Sequence, residues 1–349
     1  MNKVKQPVIA VVGATGAVGE AMLSIVAQRL GRECHIHALA SERSIGRQVN
    51  FGRHALDVGD LAEFDFIGVD FALFSAGADV SRLHASRAAA AGAIVIDNTS
   101  AFRYEADVPL IVPEVNGHLL SGVKPGSIIA NPNCSTIQMV MAIAPIHREV
   151  GIERINVATY QSVSGAGRAG MEELARQTAD RLGMREVKAG QFAQPIAFNA
   201  IPGIDTLQDN GYTREEMKLQ WETSKILEDD EIRVNATAVR VPVFFGHSEA
   251  VHLETKRSID IDRVRQLLSQ APGVSLVEDR PQEFATAVTH AAGQDEVFVS
   301  RLRQDHTHPR GINMWVVADN VRKGAALNAV QILQQIQARA TGAGARATG

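Results

Sequence analysis

Through the first third of the chain, short apolar runs alternate with segments of helical periodicity, the pattern of a parallel sheet whose strands are joined by helices. The apolar runs predict strands over 8–12, 35–40, 71–74, 94–97 and 127–130. Between the first two, the spacing of Ala21, Leu23, Ile25 and Val26 predicts a helix that opens near Gly16. A second predicted helix, over 80–91, stops at Gly92, a residue suited to a C-cap. From residue 152 the texture changes. Longer strands are expected at 155–162, 234–245 and 311–318, with helices at 170–182 and 214–227. Longer strands with fewer crossovers imply an antiparallel or mixed sheet, hence an α+β second domain. A final helix is predicted over 328–338, and the Gly-rich segment 341–349 is expected to be a disordered tail.

A chain of 349 residues is long enough for two domains with substantial cores. Its net charge of -4 provides no basic field for nucleic acid or an anionic membrane, and no apolar stretch is long enough to span a bilayer. Residues 1–7 lead straight into the first strand without the apolar core and cleavage site of a signal peptide. The 2 cysteines, Cys34 and Cys134, have no CxxC spacing, so neither a disulfide framework nor a metal site is expected. A reducing cytoplasm suits such a chain.

The chemistry concentrates first at Asn131-Pro132-Asn133-Cys134-Ser135-Thr136, ahead of the apolar run Ile137–Ile143. Pro132 holds Asn131 extended, and the run that follows reads as a buried helix with Cys134 in its first turn. There the free amides and the positive end of the helix dipole favour thiolate over thiol. A nucleophile and a small core residue are both compatible with that placement. The second concentration is Gly13-Ala14-Thr15-Gly16-Ala17-Val18-Gly19, between the first strand and first helix. Its spacing is GxxGxxG rather than GxGxxG, but the strand–turn–helix context is the one a dinucleotide phosphate needs. At the end of the second strand, Arg43 flanked by Ser41 and Ser44 suits a ribose 2′-phosphate, which favours NADP over NAD; Glu42 beside it is the complication.

Further along, Gln161 lies in the strand-like run Val157–Ser164, which leads into the glycine-rich loop Gly165–Gly170. The loop suits either a nicotinamide contact or a flexible connection. Thr213 and Glu216 form a capping box for the next helix, on which Glu215, Lys218, Glu222 and Lys225 share a face. By spacing alone that face reads as a solvated, salt-bridged stripe. Arg240 lies among apolar strand residues and requires an anionic partner or a route to water. Pro242 implies an edge strand or an interruption, and His247 follows Gly246 at the predicted strand end, where catalytic groups are commonly placed.

Taken together, these segments, with 100–103 and 109–116, resemble the bacterial aspartate-semialdehyde dehydrogenase family over nearly the whole chain except its C-terminal tail. The resemblance implies an α/β architecture: a Rossmann-like NADP-binding domain over 1–132 and 320–340, and an α+β catalytic and dimerisation domain with a mixed sheet over 133–319. It implies Cys134 as nucleophile, His247 as general acid/base and Gln161 beside the cysteine. Arg240 and Glu215 would bind the substrate carboxylate and amino group, and Arg103, Asn133 and Lys218 the phosphate. Gly13, Thr15, Gly16, Ala17, Val18, Ser41, Arg43, Ser44, Ser164, Gly165 and Asn320 would serve NADP. The implied reaction interconverts aspartyl phosphate and aspartate semialdehyde through a cysteine thioester in a homodimer, in the biosynthesis of lysine, threonine, methionine and isoleucine. The alternatives are an N-acetyl-glutamyl-phosphate reductase and a non-catalytic NADP-binding homologue.

Overall fold

The computed structural model describes residues 6–278, 280, 283–340 and 342. The expectation of a disordered tail therefore falls, apart from Gly342, outside the described residues. The chain divides into two compact units, Met1–Pro132 with Ala325–Gly349, and Asn133–Gly324. The return to the first unit comes at Ala325, not at the expected 320, so Asn320 belongs to the second unit.

The first unit is built on a seven-stranded sheet of order β3-β4-β2-β1-β5-β6-β7. Its strands are β1 (Val8–Val12), β2 (His35–Ala40), β3 (Gln48–Phe51), β4 (His54–Asp60), β5 (Phe71–Phe74), β6 (Ile94–Asp97) and β7 (Ile128–Ala130). All neighbours are parallel except the β3–β4 hairpin at the edge, which the hydropathy pattern did not foretell. Both faces of β1 are covered, which explains its unbroken apolar run. Ile9 and Val11 join one core cluster with Met22, Leu23, Val330 and Leu333, while Ala10 and Val12 join the other with Phe74, Ala85 and Ala88. The helix Leu327–Ala340 packs in the first of these clusters, beside the helix Ala17–Arg29 and strand β6. A buried amide chain anchors it: Asn328 Nδ2 donates to Asn131 Oδ1 at 2.7 Å, and Asn131 Nδ2 to Asn98 Oδ1 at 2.6 Å.

The second unit holds a six-stranded mixed sheet of order β11-β12-β13-β10-β8-β9. The strands are β8 (Ile152–Gln161), β9 (Arg233–Arg240), β10 (His247–Thr255), β11 (Val274–Leu276), β12 (Val297–Gln304) and β13 (Gly311–Ala318). β8 and β9 are parallel, whereas β10 runs antiparallel to both β8 and β13. The strand expected over 234–245 stops at Arg240. Pro242 has no N–H for a ladder, and Gly246 turns the chain at φ +86 before β10 begins. His247 therefore opens a strand instead of trailing one. Pro242 does mark an edge, since β9 is the outermost strand.

One face of this sheet is covered by the helix Cys134–Val150, in which every residue from Ser135 to Ala144 is buried. A helix apolar on all sides belongs in an interior, and here the interior lies over the residues of β8 and β10 that alternate inward. Among the described residues, no helix is long and apolar enough to cross a membrane.

Leu333 is fully buried in the first unit. Leu333→Ala should destabilise the fold by about 2–5 kcal/mol, the cost of lost transfer energy plus a cavity. A lower urea unfolding midpoint is the expected reading, and an unchanged midpoint would remove this helix from the core.

Candidate active site

The start of the helix Cys134–Val150 is over-determined. Asn133 is its N-cap, with extended backbone, and its Oδ1 accepts the N–H groups of Ser135 and Thr136 at 3.0 and 3.3 Å. Cys134 thus occupies the first helical position, half-buried at the open end of the amide array. Gly324 lies against it: a Cβ there would sit 2.8 Å from the Cys134 Cβ. A lone glycine in a helical stretch does not announce that role, so sequence reading missed it.

The sheet supplies the other groups in register. Gln161 ends β8 opposite Arg240, the last residue of β9. Ser248 of β10 pairs with Tyr160, which sets His247 beside Gln161. All three side chains are buried. Gly165 closes over them, for an added Cβ would lie 2.8 Å from Arg240 Nη1 and 3.5 Å from His247 Nε2. The glycine at this position is thus required by close approach.

His247 accepts the backbone N–H of Ser162 at Nδ1, 3.1 Å away. That bond leaves Nδ1 without a proton, so the neutral ring carries its proton on Nε2. Nε2 is buried and has no hydrogen-bond partner among the described residues. Burial, followed by the charge of Arg240, pushes the imidazole pKa down to about 3. The ring is neutral at physiological pH and presents an N–H to whatever enters beside it.

Arg240 is buried and donates from Nη1 to Ser162 O at 2.7 Å. Burial lowers its pKa, with Glu215 and Cys134 opposing the shift. Among the described residues no carboxylate pairs with it, so most of its guanidinium fork is available to an anionic ligand.

The helix Arg214–Leu227 does not carry a solvated stripe. Glu215 and Glu222 are buried, and the capping box of Thr213 and Glu216 is present. Glu215 Oε1 accepts Asn133 Nδ2 at 2.9 Å and Gln161 Nε2 at 3.1 Å, while Oε2 accepts Lys218 Nζ at 2.8 Å. Lys218 also reaches Asp205 Oδ2 at 2.8 Å. Burial alone would raise the Glu215 pKa, but Lys218 and these hydrogen bonds outweigh it and hold the carboxyl below its usual range. For Lys218, burial likewise opposes the charge, and Glu215 and Asp205 keep its pKa above the ordinary value. Asn133 and Lys218, expected to serve phosphate, are here bound to carboxylates within the unit.

Asn320 and Ser164 form a further polar knot. Asn320 Oδ1 accepts Ser162 Oγ, Ser164 Oγ and Gly246 N at 3.0, 3.1 and 3.0 Å, and Nδ2 donates to Ser164 Oγ at 2.9 Å. This knot ties the turn before His247 to the loop that carries Gly165. Ser162 was missed in the sequence because a serine in a strand–loop junction carries no spacing signal.

In the first unit, the loop after β1 fits a dinucleotide phosphate. Gly13 turns at φ +86 where a Cβ would lie 2.9 Å from Ala76 N, and a Cβ on Gly19 would drive into the Gly13 carbonyl. Gly16 is the N-cap of the helix Ala17–Arg29, so the first-turn amides of Ala17 and Val18 open toward the loop. Thr15 Oγ1 and Ser44 Oγ approach to 3.4 Å, with Ser41 and Arg43 exposed on the turn after β2. Glu42 is also exposed there, separate from the buried Ser44. Arg103 is buried in this unit and donates from Nη2 to Asn98 O at 2.9 Å.

Comparison with known proteins agrees with this division of labour. Residues 8–123 match the family model "Semialdehyde dehydrogenase, NAD binding domain" and residues 143–323 match "Semialdehyde dehydrogenase, dimerisation domain". An aspartate-semialdehyde dehydrogenase of Legionella pneumophila is 56% identical over 330 residues, covering 94% of this chain and 95% of the relative. The crystal structure of aspartate semialdehyde dehydrogenase II from Vibrio cholerae, complexed with ASA, is 53% identical with a TM-score of 0.93, covering 96% of this chain and 99% of that one. A Candida albicans aspartate semialdehyde dehydrogenase crystallised with NADP is 25% identical with a TM-score of 0.76, covering 96% and 99% of the two chains.

The depressed His247 pKa has a consequence for stability. The unfolded chain protonates this histidine below about pH 6.5, while the folded protein does so only near 3. Unfolding therefore takes up a proton in that window, and stability falls as pH drops through it. His247→Asn should flatten the wild-type decline in urea midpoint between pH 6.5 and 4; parallel curves would refute the neutral, buried assignment.

Proposed function

Because the chain belongs to the aspartate-semialdehyde dehydrogenase family, we propose that it interconverts L-aspartyl-4-phosphate and L-aspartate 4-semialdehyde with NADP and inorganic phosphate. The observation that carries the residue roles is the grouping in the second unit. Gln161, the neutral imidazole of His247 and the guanidinium of Arg240, which has no carboxylate partner among the described residues, are matched in strand register, and Glu215 links Gln161 to Asn133 at the helix start that carries Cys134.

In the aldehyde-oxidising direction, the Cys134 thiolate adds to the aldehyde carbon, forming a C–S bond and placing negative charge on oxygen. His247 serves that oxygen from Nε2. Its proton is shared as charge builds and is retrieved when the carbonyl re-forms. NADP, when bound, supplies the hydride acceptor that takes the carbon to the thioester level, or the donor in reverse. A phosphate oxygen then attacks the thioester carbon; a C–O bond forms, the C–S bond breaks and Cys134 returns as thiolate. Arg103, Asn133 and Lys218 are the proposed phosphate-binding groups. The resemblance also supports biosynthetic flux in the reducing direction, toward lysine, threonine, methionine and isoleucine.

Arg240 grips the substrate α-carboxylate as a fork, and Glu215 takes the ammonium. The charge pair is matched to a free amino acid. An N-acetylated substrate would offer Glu215 no cation, which disfavours the N-acetyl-glutamyl-phosphate reductase reading. A silent homologue would have no use for both Cys134 and His247. We place the enzyme in the cytoplasm as a homodimer. The dimerisation-domain match supports the pairing, as does the sheet face opposite the buried helix, where Tyr160, Ala250 and Trp315 lie exposed or half-buried.

The direct test is NADP+ reduction with aspartate semialdehyde and phosphate, with N-acetylglutamate semialdehyde as competitor. Turnover should require phosphate and ignore the competitor; effective competition would favour the other substrate. Cys134→Ala should reduce turnover to background with unchanged circular dichroism, and full activity would sink the nucleophile assignment. Arg240→Lys keeps the charge but loses the fork, so KM for the semialdehyde should rise about ten- to a hundredfold with kcat changed far less. Unchanged kinetics would remove Arg240 from the substrate site.

A further inference from the structure

Every polar group of Asn133 is committed. Its carbonyl accepts Ile137 N at 2.9 Å, its Oδ1 caps Ser135 and Thr136, and its Nδ2 donates to Glu215. The remaining group, the backbone N–H, donates to Glu222 Oε2 at 2.6 Å. Glu222 is fully buried and sits two helical turns beyond Glu215 on the same helix. The helix Arg214–Leu227 packs against the helix Cys134–Val150 and grips Asn133 at two points, backbone and side chain.

We infer that Glu222 is a positioning residue for the nucleophile: by holding the peptide that precedes Cys134, it sets where the thiolate stands relative to the oxygen-binding imidazole and the substrate fork. The inference rests on Cys134 being the nucleophile. Displacement of a reacting group by about 1 Å can cost on the order of a hundredfold in rate, and Asn133 is the hinge about which such a displacement would occur. Glu222 touches neither substrate nor cofactor in this role. What it supplies is a buried acceptor at one fixed distance.

The role depends on the acceptor and its reach, so two variants of matched length separate it from charge and from mere core filling. Glu222→Gln keeps an acceptor oxygen at the same reach, while Glu222→Met keeps the volume and removes the acceptor. Expected kcat is within about threefold of wild type for the Gln variant and at least about tenfold lower for the Met variant, with KM for NADP unchanged. Alkylation of Cys134 by iodoacetamide, mapped by mass spectrometry, should slow in the Met variant and not in the Gln variant. Wild-type kcat in both variants would overturn the inference. So would equal losses in both, which would make the charge the active property. A Met variant that fails to fold would make Glu222 a folding residue and overturn it too. Cys134→Ala is run alongside: if it retains activity, the nucleophile reading fails, and this inference fails with it for that separate reason.

Discussion

A helix buried on all sides must begin somewhere, and its first amides cannot be left to water. In the second unit that constraint falls on the residues around Cys134. Asn133 takes two of the amides, and its own N–H and Nδ2 must then find acceptors in an interior that offers few. Glu222 and Glu215 meet that need. A buried helix start thus recruits two buried carboxylates; Lys218 supplies a cation to Glu215 and is itself shared with Asp205. Cys134, the proposed nucleophile, stands where it does because the polar groups beside it are satisfied in this way. Precision at the reacting sulfur follows from hydrogen-bond bookkeeping one residue away.

The same interior sorts the titratable groups. Burial raises acids and lowers bases, so a group without a partner is driven neutral. His247 responds by losing its proton well before physiological pH is reached from below, which leaves an N–H donor rather than a second cation beside Arg240. An imidazolium there would repel the guanidinium and would itself pair with the thiolate. A neutral ring leaves the guanidinium as the local cation and keeps an imidazole N–H, which is what the proposed roles of Arg240 and His247 require.

Much of the first unit was legible in the chain because its strands are buried on both faces and carry unbroken apolar runs. β1, β5 and β6 have the expected bounds for that reason, and β2 has them as well although only Ala38–Ala40 of it is buried. The β3–β4 hairpin was not, since strands with exposed faces and a Gly52-Arg53 turn show little apolar contrast. In the second unit an apolar stretch from Val241 to Phe245 lengthened the expected strand past Arg240, where Pro242 and Gly246 in fact turn the chain. The cysteine, histidine and arginine stood out by residue type and setting. Glu222, Ser162 and Gly324 did not, because their roles come from contacts across elements and leave no spacing pattern. Glu222 was read as surface from a charge stripe that the fold turns inward. A helical face of alternating charge is ordinarily solvated, and only tertiary packing reveals that this one caps another helix.

Glu249 carries the argument one layer deeper. It lies two residues past His247 on β10, level with Thr159 of β8, and Thr159 Oγ1 accepts from Gln161. Gln138 eases the burial of the Glu249 carboxyl a little. Burial raises the Glu249 pKa well above its ordinary value, which favours the neutral acid. An ionised carboxyl there would offer Arg240 and any incoming substrate a competing negative field. In its neutral form it leaves the interior behind the proposed catalytic row weakly polar, which strengthens each remaining electrostatic contact in front of it. The row therefore works with few charges: Lys218 is shared between Glu215 and Asp205, which leaves one net negative charge there, the imidazole is uncharged, and the guanidinium is left for the proposed substrate carboxylate.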